Sequence, residues 1–302
     1  MHRAIPPNLE GLLKKVAQVY ELGDYKNYQE LKGGLQALNV KVETDKGVYV
    51  VKVFSPDTPL KEIETQVKGL TEFKRTMVPV PELIPHSQGM IYTSEDTTPT
   101  SLYVTSFFEG QDFTKLEPNS SDLQHIGQYL ARIHSLSFPI EPTYDEWGTA
   151  NLIHEFEKKK DCLTPKDRRV VEPIVQSYSQ LKLADFRQSI IHGDLQRQHV
   201  LKNKRGEHCV LDLGCMSQAS SVIDLAICLA HFSLNPAQEK ELIDAYHQER
   251  PLEERERAAL PLLVQATYAT YYIGAYHDIH VTGNTNSTFQ HWLEFGRKGL
   301  GL

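Results

Sequence analysis

The sequence predicts an α+β fold of two lobes, in which a small antiparallel β-sheet lobe precedes a larger, mainly helical lobe. A chain of 302 residues exceeds the size that one hydrophobic core usually fills, so two lobes are expected. The pattern of apolar residues changes from strand-like to helix-like near residue 110. A strand-like segment, Ile190–Leu213, then interrupts the helical part around a polar cluster. We place the lobes at residues 1–108 and 109–302.

The composition is that of an ordinary globular protein. The chain is 40% hydrophobic and 24% charged, which excludes disordered, collagenous and coiled-coil classes. A formal net charge of -7 argues against nucleic acid as the main ligand. The four cysteines form no C-x-x-C pair and no secretory signal is visible, so we expect a reducing, cytoplasmic compartment. No membrane span is predicted, and the oligomeric state stays open.

The first lobe begins with a predicted hairpin. Val40–Thr44 and Val48–Phe54 are β-rich runs on either side of Asp45–Gly47, where the glycine supplies backbone freedom useful in a turn. A helix follows from about Leu60 to Lys74, and nearby prolines force an irregular connection after it. Two further strands are predicted at Met90–Thr93 and Ser101–Phe108.

The second lobe begins with an amphipathic helix. Ser121–Ser135 offers an N-cap candidate and apolar residues at spacings of three and four. Other helices are predicted at Ala150–Lys160, Lys166–Leu181, Val222–Ser233, Ala237–Gln248 and Glu253–Tyr276.

The polar cluster between these helices is the candidate reactive site. Asp194 follows an apolar strand, His199 comes five residues later, and Asp212 ends the next apolar strand. Such groups could converge on a divalent cation and a nucleophile, which is the arrangement that phosphoryl transfer needs. The alternative is a polar hairpin whose aspartates only cap turns.

The same segment resembles a known family. His192–Leu195 reads H-G-D-L and Asp212–Gly214 reads D-L-G, and together they resemble the signature of the aminoglycoside phosphotransferase and choline kinase superfamily. The resemblance implies a protein-kinase-like fold and ATP-dependent phosphorylation of a small alcohol, with the nucleotide between the lobes. It implies that Asp194 is the catalytic residue that accepts or orients the substrate hydroxyl proton. It also implies that Asp212 holds the metal that bridges the nucleotide phosphates.

Two residues depart from the family pattern. Gln196 stands where the family often has His, and His199 stands where it has a metal-binding Asn. An imidazole suits Mg²⁺ less well than an amide oxygen does, and it suits softer ions such as Mn²⁺ better. We therefore expect ATP with Mg²⁺ and leave Mn²⁺ open. His199 either binds the metal or holds the loop through a hydrogen bond.

The amino-terminal lobe contributes the nucleotide-binding candidates that the resemblance implies. Lys52 lies within an apolar strand, where a lysine needs a partner, and would pair with phosphates and with a Glu on the next helix. Glu64 suits the family spacing better than Glu62. The remaining candidates are Gly33 and Gly34, which would approach the phosphates, and the backbone near Ser106 and Phe108, which would bind adenine.

Two more segments resemble the family without carrying chemistry. Asp224–Ala226 reads D-L-A, which implies that Asp224 braces the backbone of the catalytic loop. Gln128–His134 resembles the L-A-x-x-H helix, in which His134 is expected to be a hydrogen-bonded core residue.

The sequence gives the least information about which molecule accepts the phosphate. Ala245–Pro261 is similar to a stretch of the homoserine kinase branch, which favours an amino acid or amino alcohol such as homoserine. Binding of the homoserine carboxylate would require a cationic side chain, for which Arg197 is a candidate. An aminoglycoside or sugar kinase is the alternative, for which Asp145, Glu146 and Asp278 could supply carboxylates.

Two readings lie outside this enzyme class. The departures at Gln196 and His199 would suit a catalytically weak, nucleotide-binding regulator. A plain scaffold module would not bind ATP at all.

Overall fold

The strands of the amino-terminal part form antiparallel sheets, and the rest of the chain is mainly helical. The computed structural model describes residues 6–31, 37–94, 99–140, 144–232 and 234–302. The described helices are α1 (Leu9–Val19), α2 (Leu60–Arg75), α3 (Ser120–Ile133), α4 (Leu152–Lys159), α5 (Pro165–Ser179), α6 (Ser221–Phe232), α7 (Pro236–Glu249), α8 (Glu254–His280) and α9 (Ser287–Leu300). The described strands are β1 (Tyr25–Glu30), β2 (Ala37–Thr44), β3 (Val48–Phe54), β4 (Leu83–Ile84), β5 (Ile91–Thr93), β6 (Ser101–Ser106), β7 (Gln111–Asp112), β8 (Gln188–Ile191), β9 (Val200–Lys202), β10 (His208–Val210) and β11 (Ser217–Ser220).

The chain groups into two units that are described separately. The first unit contains Met1–Asp112 and Val200–Gly214, and the second contains Phe113–His199 and Cys215–Leu302. These units differ from the linear division at residue 108 by one inserted segment. Val200–Gly214 joins the first unit because β9 pairs with β7 and the Val210 N–H donates to the carbonyl oxygen of Pro79.

The first unit is built on an antiparallel sheet of order β1-β2-β3-β6-β4, with β5 also paired to β6. Strand β2 alternates buried and half-buried residues, which places one face of the sheet in the core. Helix α1 packs onto that core through Leu9, Leu13 and Val16, which are spaced by three and four residues. A second sheet, β10-β9-β7, completes the unit.

The hairpin between β2 and β3 is confirmed, but its turn does not depend on glycine in the way expected. Gly47 does not adopt a positive φ. The hydroxyl of Thr44 closes the turn instead, because it accepts from the N–H groups of Lys46 and Gly47 and donates to the carbonyl oxygen of Leu22. The Thr44 side chain, and not the conformational freedom of Gly47, therefore stabilises this turn.

The second unit is dominated by helices. Helix α6 is buried along almost its whole length, and α8 packs against α4, α5, α6 and α9. The two strands in this unit, β8 and β11, pair antiparallel. Among the described residues no helix is long and apolar enough to cross a membrane. All four cysteines are free thiols.

The structure corrects several boundaries and adds elements that the sequence analysis left unassigned. Strand β6 ends at Ser106 and not at Phe108. Helix α3 starts one residue early because Asn119 and not Ser121 is its N-cap: the Asn119 side chain accepts from the Asp122 N–H, and the Asp122 carboxylate accepts from the Asn119 N–H. Elements α1, β1 and α9 had no assignment.

Close packing of α3 on α7 depends on a glycine. A Cβ at Gly127 would lie 2.5 Å from the carbonyl oxygen of Leu242 and 3.0 Å from the backbone nitrogen of Tyr246. Both contacts are with the backbone of α7, which cannot rotate away. The two helices can therefore approach this closely only without a side chain at residue 127.

We expect Gly127→Ala to lower the free energy of unfolding by about 1–3 kcal/mol, because α7 must move to admit the methyl group. Urea denaturation followed by circular dichroism measures this. The matched control is Gln124→Ala on the exposed face of the same helix, which should change stability by less than about 0.5 kcal/mol. Equal stability of the Gly127 variant and the wild type would contradict the close approach.

Candidate active site

In the first unit, Lys52 and Asp212 form an ion pair. Lys52 lies on β3, and its ammonium Nζ is 3.1 Å from Oδ1 of Asp212, which follows β10. The lysine side chain is only 12% exposed. The lysine within an apolar strand thus has the charged partner that its burial requires. The pairing joins two of the residues that the sequence analysis singled out.

The backbone at Asp212 is held in an uncommon conformation. Its φ of 60° lies in the left-handed region, which aspartate tolerates better than most residues do. The Gly214 N–H also donates to Oδ1 of Asp212, at 3.3 Å. Strained backbone of this kind persists where surrounding contacts enforce it, and it is frequent at functional sites.

The other nucleotide-binding candidates of this unit have different surroundings. Glu64 is exposed on α2, and the carboxylate that pairs with Lys52 is that of Asp212. The Ser106 N–H and hydroxyl both contact the backbone of Glu82, so Ser106 ties β6 to β4. Phe108 follows the end of β6. Gly33 and Gly34 lie outside the described residues.

In the second unit, a buried carboxylate holds the loop that carries Asp194. The N–H of His192 donates to Oδ2 of Asp224 at 2.8 Å, and the N–H of Gly193 donates to Oδ1 at 2.9 Å. Gly193 has a φ of 79°, and a Cβ there would lie 2.3 Å from the carbonyl oxygen of Cys215. The loop backbone is therefore bonded to both oxygens of one side chain and needs glycine at its second position. The bracing role expected of Asp224 is confirmed.

A histidine completes the surroundings of this carboxylate. His134 Nε2 lies 3.0 Å from Oδ2 of Asp224, and its Nδ1 lies 2.8 Å from the hydroxyl of Tyr246. Burial raises the pKa of Asp224, but hydrogen bonds and charge from His134 and His192 outweigh it and hold that pKa below its ordinary range. His134 is thus a buried hydrogen-bonded residue, as expected from the sequence.

Two donors engage one oxygen of the Asp194 carboxylate. The amide Nε2 of Gln196 donates to Oδ1 at 2.7 Å, and the hydroxyl of Tyr271 donates to the same oxygen at 3.3 Å. Burial and the nearby Asp194 raise the pKa of Tyr271 well above its usual value, so the hydroxyl keeps its proton. Oδ1 thereby accepts from two side chains, and Oδ2 lies 3.4 Å from Nδ1 of His199. Sequence reasoning missed Tyr271, because nothing distinguishes it from other tyrosines on α8.

His199 holds the loop through its ring. Its Nδ1 lies 2.7 Å from the carbonyl oxygen of Asp194 and 3.4 Å from the Asp194 carboxylate. A carbonyl oxygen accepts only, so Nδ1 carries the proton and the lone pair lies on Nε2. Metal-binding histidines commonly donate their second N–H to a carbonyl in this way. The loop-holding role is therefore present, and the tautomer also suits a ligand role.

The residues of this site fit a hard divalent cation in part. Among the described residues, no group of three or more His, Cys, Asp or Glu side chains is arranged to hold a metal ion. Mg²⁺ in nucleotide enzymes is commonly bound by one or two carboxylates and by substrate phosphates. Asp212 supplies a carboxylate of the appropriate type.

Comparisons with known proteins identify the family of this chain. Residues 27–260 match the model of the family described as phosphotransferase enzyme family. The chain belongs to this family. Homoserine kinases are among its curated relatives: the protein from Methylobacillus glycogenes is 23% identical over 86% of this chain and 83% of its own length. A homoserine kinase from Bradyrhizobium sp. (strain BTAi1) is 22% identical over 82% of this chain and 78% of its own length.

Solved structures of small-molecule kinases share the fold of this phosphotransferase. An amicoumacin kinase superposes with a TM-score of 0.72 at 16% identity, covering 96% of this chain and 92% of that one. A microcompartment-associated aminopropanol kinase gives 0.70 at 15% identity, with 97% and 96% covered. A choline kinase from Streptococcus pneumoniae gives 0.68 at 13% identity, with 97% and 99% covered. The predicted kinase-like α+β fold is thus confirmed, and the family match confirms that the chain is a phosphotransferase.

An aromatic cluster adjoins Asp194 in the phosphotransferase. The Tyr271 ring contacts Trp147, Trp292 and Phe295 at centroid distances of 6.0, 5.8 and 5.4 Å, and the two tryptophans lie 4.6 Å apart. Tyr271 belongs to this cluster, and its hydroxyl donates to the Asp194 carboxylate, so the cluster lies next to Asp194. Both tryptophans are half-buried.

Charged residues near this cluster have clear assignments. The carboxylate of Asp145 accepts from the Trp147 N–H at 2.9 Å, and burial raises its pKa. The guanidinium of Arg197 donates to the Glu117 carboxylate and to the carbonyl oxygens of Phe113 and Phe232. The cation that the sequence offered for an acceptor carboxylate is therefore used within the protein, while the Asp145 carboxylate is bonded to the backbone of Trp147.

We expect Asp224→Asn to destabilise the phosphotransferase by about 3–5 kcal/mol at neutral pH, because the amide cannot accept from both loop N–H groups and His134. The folded-state pKa of Asp224 is lowered, so the carboxylate stabilises the fold above its ordinary pKa and loses that effect as the pH falls through the folded value. Unfolding free energies of both proteins from pH 7 to pH 3 should therefore converge at the acid end.

Asp244→Asn on the surface of α7 is the control for this prediction. It removes an exposed ion pair with Lys240 and should cost less than about 1 kcal/mol at any pH. A pH-independent difference between wild type and the Asp224 variant would refute the ionised state of that carboxylate.

Proposed function

We propose that this chain transfers the γ-phosphate of ATP to a hydroxyl group of a small, amine-bearing alcohol. The observation that carries the proposal is the oriented carboxylate of Asp194, held on a loop whose backbone is bonded to a buried Asp224. A turn-capping aspartate would not need this support. The family match supplies the reaction class, and the geometry supports the assignment of roles.

The first unit supplies the phosphate-binding groups. Lys52 binds nucleotide phosphates, and Asp212 holds the divalent cation, Mg²⁺ by the preference of a carboxylate for hard ions. When bound, the cation offsets the charge that develops on the phosphates. We assign adenine to the backbone near Ser106 and Phe108, and we keep Gly33 and Gly34 as phosphate-contacting residues. Glu64 stays the sequence-based candidate for a helix carboxylate.

The second unit supplies the acceptor groups. The Asp194 carboxylate accepts the hydrogen bond of the acceptor hydroxyl and orients its oxygen toward the γ-phosphorus. A new P–O bond forms to that oxygen, the bond to the ADP oxygen breaks, and the hydroxyl proton moves to Asp194. His199 offers Nε2 to a cation bound at its loop, which keeps Mn²⁺ as an alternative to Mg²⁺.

The acceptor class follows from the aromatic cluster. Aromatic faces and a carboxylate together attract an ammonium group. Trp292 and Asp145 are the candidates, because the Lys159 ammonium already lies over the Trp147 ring. An acceptor carboxylate would need a cation, and Arg197 already binds Glu117. This favours an amino alcohol. Homoserine, which carries both charges, is the second candidate, because homoserine kinases are among the sequence relatives.

We expect Asp194→Asn to reduce phosphate transfer by on the order of 10²–10⁴-fold while ADP binding is preserved, because the amide cannot take the proton. The assay is ATP-dependent phosphorylation of ethanolamine, 1-amino-2-propanol, choline, homoserine and an aminoglycoside, with Mg²⁺ and Mn²⁺ in parallel. The matched control is Asp185→Asn at an exposed site, which should retain full activity.

The outcomes of this assay separate the alternatives. Transfer that survives Asp194→Asn would refute the catalytic role. Nucleotide binding without transfer to any acceptor would favour the regulator reading, and neither binding nor transfer would favour a scaffold.

We expect Trp292→Leu to raise the KM for the charged amino alcohol by about 5–30-fold and to leave the KM for ATP unchanged, because a desolvated cation–π contact is lost. Steady-state kinetics with ethanolamine measures this, and ethylene glycol is the neutral control. A loss that is equal for the charged and the neutral acceptor would count against ammonium recognition.

A further inference from the structure

The side chain of Lys52 shares a face of the sheet with Tyr103. The two residues are register partners on the antiparallel strands β3 and β6, so their side chains project to the same side. Tyr103 is buried, with 5% of its surface exposed. Its hydroxyl therefore needs a partner inside the protein.

That partner lies on helix α2. The Tyr103 hydroxyl donates to Oε1 of Gln66 at 3.2 Å, and Gln66 is itself 6% exposed. Gln66 is a buried polar residue on a helix whose other buried positions are Ile63, Gly69, Leu70 and Phe73. Burying an amide among apolar side chains is unfavourable unless the amide forms a hydrogen bond. The hydrogen bond of the Gln66 amide is the one with Tyr103.

Lys52 acts on the same hydroxyl. Burial raises the pKa of Tyr103 most strongly, while the charge of Lys52 and a hydrogen bond from it lower that pKa. Lysine can only donate, and the single proton of the tyrosine already points to Gln66. The Tyr103 hydroxyl therefore donates to the Gln66 amide oxygen, which leaves the Tyr103 oxygen facing Lys52 as an acceptor.

We propose that Tyr103 and Gln66 form a neutral relay that positions the Lys52 ammonium for nucleotide phosphates. The inference rests on the proposed function, because it assumes that Lys52 binds phosphate. It assigns to an amide and a hydroxyl the positioning role that the sequence gave to Glu64. Both relay residues are positioning residues, since they act through Lys52.

The neutrality of the relay has an electrostatic consequence. A helix carboxylate beside Lys52 would offset its charge and compete with phosphate for its N–H groups. A hydroxyl and an amide fix the direction of the ammonium without adding negative charge. Asp212 is then the acidic partner that orients Lys52 in this unit, and the positive potential offered to phosphate is greater.

The test measures binding of ADP with Mg²⁺ to the full-length protein by isothermal titration calorimetry. We expect Tyr103→Phe and Gln66→Leu each to weaken ADP binding by about 5–20-fold. Gln66→Glu keeps an acceptor for the tyrosine proton but adds a negative charge close to Lys52, so it should also weaken ADP binding, and less so at high salt. The matched control is Tyr92→Phe on β5, which also pairs with β6 and should not change ADP binding.

A double-mutant cycle with Lys52→Met separates positioning from loss of structure. If the relay acts through Lys52, Tyr103→Phe should have no further effect on ADP binding in the Lys52→Met protein. Binding of adenosine, which lacks phosphate, should be unchanged in every relay variant. Melting temperatures of all variants establish that the proteins compared are folded.

The outcomes distinguish failure of the relay from failure of the proposed function. If Lys52→Met weakens ADP binding but Tyr103→Phe and Gln66→Leu do not, the relay is wrong and the phosphate-binding role of Lys52 stands. If Lys52→Met itself has no effect, or the wild type does not bind ADP, the proposed function and the relay fall together. A loss of adenosine binding equal to that of ADP, or an equal loss of ADP binding on Glu64→Gln, would also overturn the relay.

Discussion

The buried carboxylate of Asp224 is the interaction on which the catalytic loop depends. It lies on α6, which is buried along almost its whole length, and it accepts from two consecutive N–H groups of the loop and from His134. Removing a partner from such a network leaves buried donors unsatisfied, which costs several times a typical hydrogen bond. The loop that carries Asp194 is therefore held by a buried helix.

The first unit shows the same principle with a charged pair. Lys52 is buried enough to require a counter-charge, and Asp212 supplies it from a residue in the left-handed region of backbone space. Each side chain restrains the other before any ligand is present. Preorganised charges of this kind lower the reorganisation that phosphoryl transfer would otherwise demand. In the proposed function, the first unit supplies the phosphate-binding groups and the second supplies the groups that address the acceptor.

Sequence reasoning found the residues whose roles are set by short spacing. Asp194, His199 and Asp212 lie on one polar stretch between apolar strands, and Lys52 stands out because a lysine in an apolar strand needs a partner. The bracing role of Asp224 and the buried state of His134 were also predicted correctly. Glu64 was chosen by helix spacing, but the structure leaves it exposed and gives Lys52 other neighbours.

The residues that sequence reasoning missed act across large separations in the chain. Tyr271 meets Asp194 over 77 positions, and Gln66 meets Tyr103 over 37. No local periodicity marks such contacts, because they depend on how distant helices and strands pack.

The sequence by itself determined the two-lobed α+β organisation and the polar loop that carries Asp194, because apolar periodicity and motif spacing are local properties. The reaction class followed from the resemblance of the H-G-D-L and D-L-G segments to a known family. Only the tertiary structure decided which side chains contact the Asp194 carboxylate, which tautomer His199 adopts and which groups lie near Lys52. Those features follow from hydrogen-bond directions and burial, and they exist only once residues far apart in the chain are packed together.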